Sequence, residues 1–266
     1  MKMKNTRINL EKGYILKYEF NNINVYNYST NDYLNDQVIM LEKNGKLVII
    51  ESPTFYDNNK ELEEYIKTLN LEVEGILLAY HFSGASFLEG KKKYATHQAD
   101  TPGHEGGGKI LVDNFTKTFG TDIFDNKIHN VTDYISGETI AIADIELNII
   151  KTGDSYDIEI PEINSIYTHM LGSKCHSIIA GVEQADKMIA TLKEYIAKDY
   201  NLIFTSHYIP EDISAVEMKI SYIETILNIA SDCSNPEEII KKVKLEYKEY
   251  CGDNYLEMTA NFFFSN

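Results

Sequence analysis

The chain has 266 residues, 43% of them hydrophobic, and its 41 acidic against 25 basic residues give a formal net charge of −16. That length and apolar content can bury a sizeable core, and the acidic excess repels phosphate backbones and anionic lipid, so neither nucleic acid nor a membrane surface is expected as a partner. The basic start "MKMKNTRINLEKG" is followed by no apolar run, and no later stretch approaches the roughly 20 apolar residues of a spanning helix; the expectation is a cytoplasmic protein.

In chain order, "YILKYEF", "NVYNYS", "QVIMLEKN" and "KLVIIES" are enriched in β-branched and aromatic residues, with a "KNGK" turn between the last two, and read as an antiparallel start. "DNNKELEEYIKTL" then places Leu62, Tyr65, Ile66 and Leu69 at helical spacing, and "EGILLAY" is a short apolar run of strand type. "KKYAT" reads as a short strand and "GKILVDNFTKTFG" as a helix ending at Gly120; "ETIAIADIELNII" to "YDIEIPE" is a second strand-rich block. "SIYTHM", "HSIIAG" and "NLIFTSH" read as further strands. Between the last two, "VEQADKMIATLKEYIA" sets Ala185, Met188, Ile189, Leu192 and Ile196 on one helical face. Ile213, Val216, Ile220, Ile223 and Leu227 form a second stripe, and Asn235-Pro236-Glu237-Glu238 is a helix start with proline at its first position. With no linker or long repeat, residues 1–266 are expected to form a single domain, with two sheets between helices as one layered arrangement that fits.

Several groups of residues could carry chemistry. Gly103 to Lys109 satisfies the GxxxxGK spacing of a phosphate loop, but Ile110 stands where a hydroxyl should meet magnesium, so a flexible glycine loop over a pocket is the better reading of 103–108. His97, Asp100 and His104 lie within one polar stretch and are loop candidates for zinc or iron. His81, His169, His176 and His207 each follow or flank an apolar run, where layered α/β folds gather functional groups. Cys175, Cys233 and Cys251 lie far apart without CxxC spacing and read as reduced packing thiols.

At these residues the chain resembles the metallo-β-lactamase-fold superfamily, whose members are αββα sandwiches and mostly metal-dependent hydrolases. The resemblance covers the order of elements over nearly the whole length. It implies an α/β (α+β in some schemes) four-layer αββα sandwich of two mixed sheets flanked by helices. The family's HxHxDH motif falls on Tyr80 to Ala85, so that Tyr80, Phe82, Gly84 and Ala85 occupy the four ligand positions and His81 lies between two of them. His169-Met170-Leu171-Gly172-Ser173 keeps the histidine, glycine and serine of an HTPGS-like turn, Val182 stands near the place of the bridging aspartate, and His207 ends a late strand as the last family histidine does.

By this resemblance the usual two-metal centre has lost most of its donors, since a catalytic ion generally takes three protein ligands. Two readings follow. One is a divergent hydrolase holding one divalent metal, zinc, manganese or iron, weakly, through His169, His207 and His81 or a residue of the glycine-rich loop, and acting on a small-molecule substrate. The other is a metal-free, non-catalytic member that binds a small molecule or peptide in the former active-site pocket, which the aromatic rings of Tyr80 and Phe82 would partly fill.

Overall fold

A computed structural model describes residues 4–265. Eight strands, β1 (Thr6–Asn9), β2 (Tyr14–Glu19), β3 (Asn24–Ser29), β4 (Gln37–Lys43), β5 (Lys46–Ile50), β6 (Glu72–Leu77), β7 (Lys93–Ala95) and β8 (Asp133–Tyr134), lie side by side in sequence order. The first five pair antiparallel and β5 to β8 pair parallel. A second sheet has β9 (Thr139–Ile142), β10 (Ile145–Lys151), β11 (Tyr156–Ile160), β12 (Ser165–Thr168) and β13 (Leu202–Thr205), antiparallel except for the parallel pair β12–β13. Both sheets are therefore mixed. The helices are α1 (Tyr56–Leu69), α2 (His97–Glu105), α3 (Gly107–Phe119), α4 (Val182–Lys198), α5 (Ile213–Ser231), α6 (Pro236–Glu246) and α7 (Asp253–Phe262). Two mixed sheets with these helices make the expected αββα fold class.

The chain divides into two compact units. One runs to Met170 and takes in Asn201–Pro210; the other has Leu171–Tyr200 and the chain from Glu211 onward. The first unit holds both sheets. Val38 to Leu41 and Leu47 to Ile50 are wholly buried, so β4 and β5 are covered on both faces and read as unbroken apolar runs rather than alternating ones. β10 alternates instead, with Ile145, Leu147 and Ile149 inward and Glu146 outward. The sheets share one apolar core, and the start of β11 is tied to the chain leaving β6: Tyr156 Oη donates to Leu78 O at 2.9 Å and Ser155 Oγ donates to Ala79 O.

The second unit is helical. α4 buries Ala185, Ile189 and Leu192 as the spacing predicts, and α6 starts as predicted, with Pro236 at its first turn and Asn235 Oδ1 accepting from Glu238 N at 3.0 Å. "HSIIAG" is not a strand: residues 176–181 make no ladder, and the backbone pairs nearby in a single bridge between Cys175 and Cys251. An apolar run of that length fits a buried irregular segment as well as a strand. No helix among the described residues is long and apolar enough to cross a membrane.

Candidate metal centre

Strand ends of the first unit place three imidazoles together. β5 is followed by Glu51, a non-glycine residue with φ of 66°, which turns the chain out of the sheet. Its N–H donates to Leu77 O at 2.9 Å, and its carboxylate accepts from Tyr80 N at 2.8 Å, His81 N at 3.0 Å and Tyr167 Oη at 2.7 Å. One buried carboxylate thus holds the turn after β6 against β12. Burial pushes the Glu51 carboxyl up to about 7, although every donor aimed at it works the other way. Tyr167 Oη also lies 2.7 Å from Ser206 Oγ, and Ser206 N donates to His169 O at 3.0 Å, which ties the ends of β12 and β13 together.

The result is a cluster of His81, His169 and His207 in which one ring nitrogen of each lies within 4.8 Å of the others. The rings stand 4.8 to 5.5 Å apart between centroids and are tilted or edge-on to one another. All three side chains are half-buried, yet His169 Nε2 is fully buried with no hydrogen-bond partner. His207 is oriented from behind. Its Nδ1 donates to Leu34 O at 3.2 Å, with Asp36 Oδ1 3.3 Å away as a charge partner, so Nδ1 carries a proton and, in the neutral ring, Nε2 keeps its lone pair.

Electrostatics separate the three rings. Burial, reinforced by the neighbouring His207, lowers His81 to about 4; burial and the two other histidines hold His169 well below the usual range. Burial also opposes the charged form of His207, but the adjacent Asp36 carboxylate and the Leu34 carbonyl outweigh it and raise its pKa. Asp36 is fully buried, which would push it up, and His207, His81 and the Thr54 hydroxyl together hold it down; Thr54 Oγ1 donates to Asp36 Oδ2 at 2.8 Å. His81 and His169 are therefore neutral at pH 7, with lone pairs available, beside one buried negative charge.

The other expected site residues divide clearly. Tyr80 stacks on the His169 ring at 4.6 Å and 9°, and its hydroxyl donates to Asp157 at 2.7 Å, so it forms one wall of the cluster. Phe82 is buried in the core, and Gly103 packs against its ring. Gly84 N and Ala85 N donate to Asp125 O and Lys127 O, which hold the turn by its backbone. Val182 is the exposed first residue of α4, in the second unit. His176 is also in the second unit, with Nδ1 3.0 Å from Tyr222 Oη. His97 stacks on Tyr134 at 3.7 Å, Asp100 accepts from Tyr134 Oη at 2.7 Å, and His104 Nε2 lies 3.3 Å from Asp100 and 3.1 Å from His129 O. Among the described residues they do not join a metal-binding group; the three-histidine cluster alone has that arrangement.

The glycine-rich segment 103–108 is not a flexible loop. It is the end of α2 and the start of α3, meeting at Gly106, and α2 is capped by Thr96 Oγ1 accepting from Ala99 N at 3.1 Å. Glycine at 103 serves close packing, since a Cβ there would stand 2.6 Å from Phe82 Cγ. Gly84 is tighter still: its φ is +90°, and a Cβ would meet Pro53 O at 2.1 Å. Gly84→Ala is expected to lower stability by roughly 2–4 kcal/mol through backbone strain and overpacking, measured as a shifted midpoint in denaturant titration. No side chain fits at this position, where the family motif would put its aspartate.

Two residues with a part in the cluster, Glu51 and Asp36, lie outside the sequence expectations. An acid directly after the apolar run "KLVII" is a visible signal for the first, because a charge at the end of a buried strand needs partners. Asp36, in "STNDYLND", has no comparable local mark.

No protein-family model matches the sequence, and no curated protein matches it. Solved structures do. A double mutant of the sec-alkyl sulfatase PisA1 matches 97% of this chain and 49% of its own at 13% identity and a TM-score of 0.62. The stereoselective inverting sec-alkylsulfatase Pisa1 from Pseudomonas sp. matches 90% of this chain and 48% of its own at 14% identity and a TM-score of 0.61. The chain thus spans about half the length of these sulfatases. A metallo-β-lactamase from Erythrobacter litoralis matches 83% of this chain and all of its own at 11% identity and a TM-score of 0.54. At these identities the likeness is one of fold, and the fold is that of the metallo-β-lactamases.

Proposed function

We propose that this chain, with its metallo-β-lactamase fold, is a divergent hydrolase working with one divalent metal ion, held by His81, His169 and His207. The observation that carries this reading is the orphaned, buried Nε2 of His169 beside two further imidazoles. A buried ring nitrogen without a partner costs stability unless something binds it. Three histidines are also a known donor set for a catalytic zinc with its fourth position open, and a carboxylate or carbonyl behind a ligating ring is the usual support, as Leu34 O and Asp36 provide for His207. A divalent ion bound there would supply Lewis acidity and a lowered pKa for a water molecule at neutral pH.

The chain's own residues prepare that chemistry. His81 and His169 are held neutral, so no proton has to leave them before they ligate. Leu34 O fixes the tautomer of His207, and the Asp36 carboxylate behind the ring would offset part of a bound ion's positive charge. Tyr80 covers one face of His169 and limits water there, while Glu51 fixes where His81 sits through its backbone. The substrate proposed is a small molecule with a hydrolysable ester bond; the resemblance in fold to alkylsulfatases makes sulfate esters a first class to assay.

Elemental analysis and competition with a chelator, on the full chain with added zinc, manganese or iron, test the reading. The expected result is one ion per chain, lost in His169→Ala and in His207→Ala while circular dichroism stays native. Two ions per chain would mean a wider donor set than these three rings. No ion under any of the three metals would leave the metal-free binding reading, which the stacking of Tyr80 on His169 favours.

A further inference from the structure

The second unit contains a pair of cysteines that its backbone brings into register. Cys251 N donates to Lys174 O at 3.2 Å and His176 N donates to Cys251 O at 2.8 Å, the pattern that pairs Cys175 with Cys251 in a parallel bridge. Adjacent strands lie about 4.8 Å apart with paired side chains on the same side, within the Cα separation of about 4.4–6.8 Å that a disulfide accepts. Gly252, at φ +83°, leaves room at the pair: a Cβ there would stand 2.8 Å from Cys175 Sγ. Cys175 is buried and Cys251 is exposed, so one thiol meets solvent and the other stands behind it.

A buried cation completes the arrangement. Lys219 is 2% exposed, and its Nζ donates to Cys175 O at 2.6 Å and to Ser177 Oγ at 3.0 Å. Burial lowers Lys219 to about 8, still above neutrality, and both cysteines lie within its electrostatic reach. The exposed thiol of the pair is the one a peroxide meets first.

We infer that Cys175 and Cys251 are a redox-sensitive pair that closes to an intramolecular disulfide when the protein meets a peroxide. The Cys251 thiolate attacks one oxygen of hydrogen peroxide; the S–O bond forms, the O–O bond breaks, and the departing hydroxide takes a proton to leave as water. The Cys175 thiolate then attacks the sulfenic sulfur, the S–S bond forms, the S–O bond breaks, and a second water leaves. Two thiols give up two electrons in all, and peroxide is reduced to two waters. The bond staples the segment after Met170 to the chain entering α7, beside the hydrogen bonds that Thr259 Oγ1 already makes with Ile179 N and Ser177 O.

The test uses the full, reduced chain treated with hydrogen peroxide, alkylated, and mapped by mass spectrometry of its peptides. The expected product is one cross-linked pair, Cys175 with Cys251, removed by dithiothreitol, absent in Cys251→Ser and retained in Cys233→Ser. The oxidised protein should also melt at a higher temperature than the reduced one, reversibly. Full alkylation of both thiols after peroxide, sulfinic acid at Cys251 without a cross-link, or cross-links through Cys233 would each overturn the inference. Because Cys251 is exposed, its serine variant tests the pairing without disturbing a core position.

Discussion

Glu51→Ala is expected to destabilise the protein by about 2–4 kcal/mol, because it strands several buried donors at once and each costs ~1–3 kcal/mol when left unpaired. Tyr80 N, His81 N and Tyr167 Oη would lose their shared acceptor. Part of the loss is offset, since the variant no longer buries a carboxylate. Glu51→Gln separates the two effects. Its amide keeps one acceptor oxygen for Tyr80 N and Tyr167 Oη but turns an NH2 group toward His81 N, so donor faces donor at a proposed ligand. Chemical denaturation should show a small loss for Gln and a large one for Ala, while competition with a chelator should show weakened metal binding in both. Equal, negligible changes in stability would mean that the turn after β6 is held by something other than this carboxylate.

Asp36→Asn is expected to lower metal affinity by 10- to 100-fold, the usual effect of losing an outer partner of a ligating histidine. The substitution keeps the size of the side chain and an oxygen able to accept from Thr54, so the fold should be nearly unaffected. What it removes is the negative charge behind His207, which also acts on His81 and His169. A merely structural role would leave the ring untouched; nitrogen NMR of the imidazole should instead show the pKa of His207 falling in the variant, since the charge that raises it is gone. Unchanged affinity together with an unchanged pKa would assign the support of His207 to Leu34 O alone.

The parts of this architecture that follow local rules were legible in the sequence. Strand type is written in "QVIMLEK" and "KLVII" by unbroken apolar runs, and helix starts are written in Asn235-Pro236 by capping chemistry. The histidines at 81, 169 and 207 could be singled out because each follows a buried strand. What sequence could not supply was partnership across the fold. Asp36 is one of 41 acidic residues, and its place behind His207 comes from the connection between β3 and β4, which has no local signature. The glycines at 103 and 106–108 misled for a related reason: composition suggests freedom, whereas Gly103 is glycine because a phenylalanine ring lies against it. The cysteine pair was equally hidden, since spacing along the chain says nothing about a bridge between residues 175 and 251.

The antiparallel strands β1 to β5 each pair with the next in sequence, so that part of the sheet forms by closing short loops. The three imidazoles follow a different course. The histidine at 207 reaches the other two only after β13 has paired in parallel with β12, and the chain must first complete all of α4 between those strands. Pairings of that kind are slow, because the entropy of a long closure is lost before any contact rewards it. The ring cluster therefore rests on a long-range closure, and during synthesis a nascent chain offers no three-histidine chelate until residue 207 has emerged.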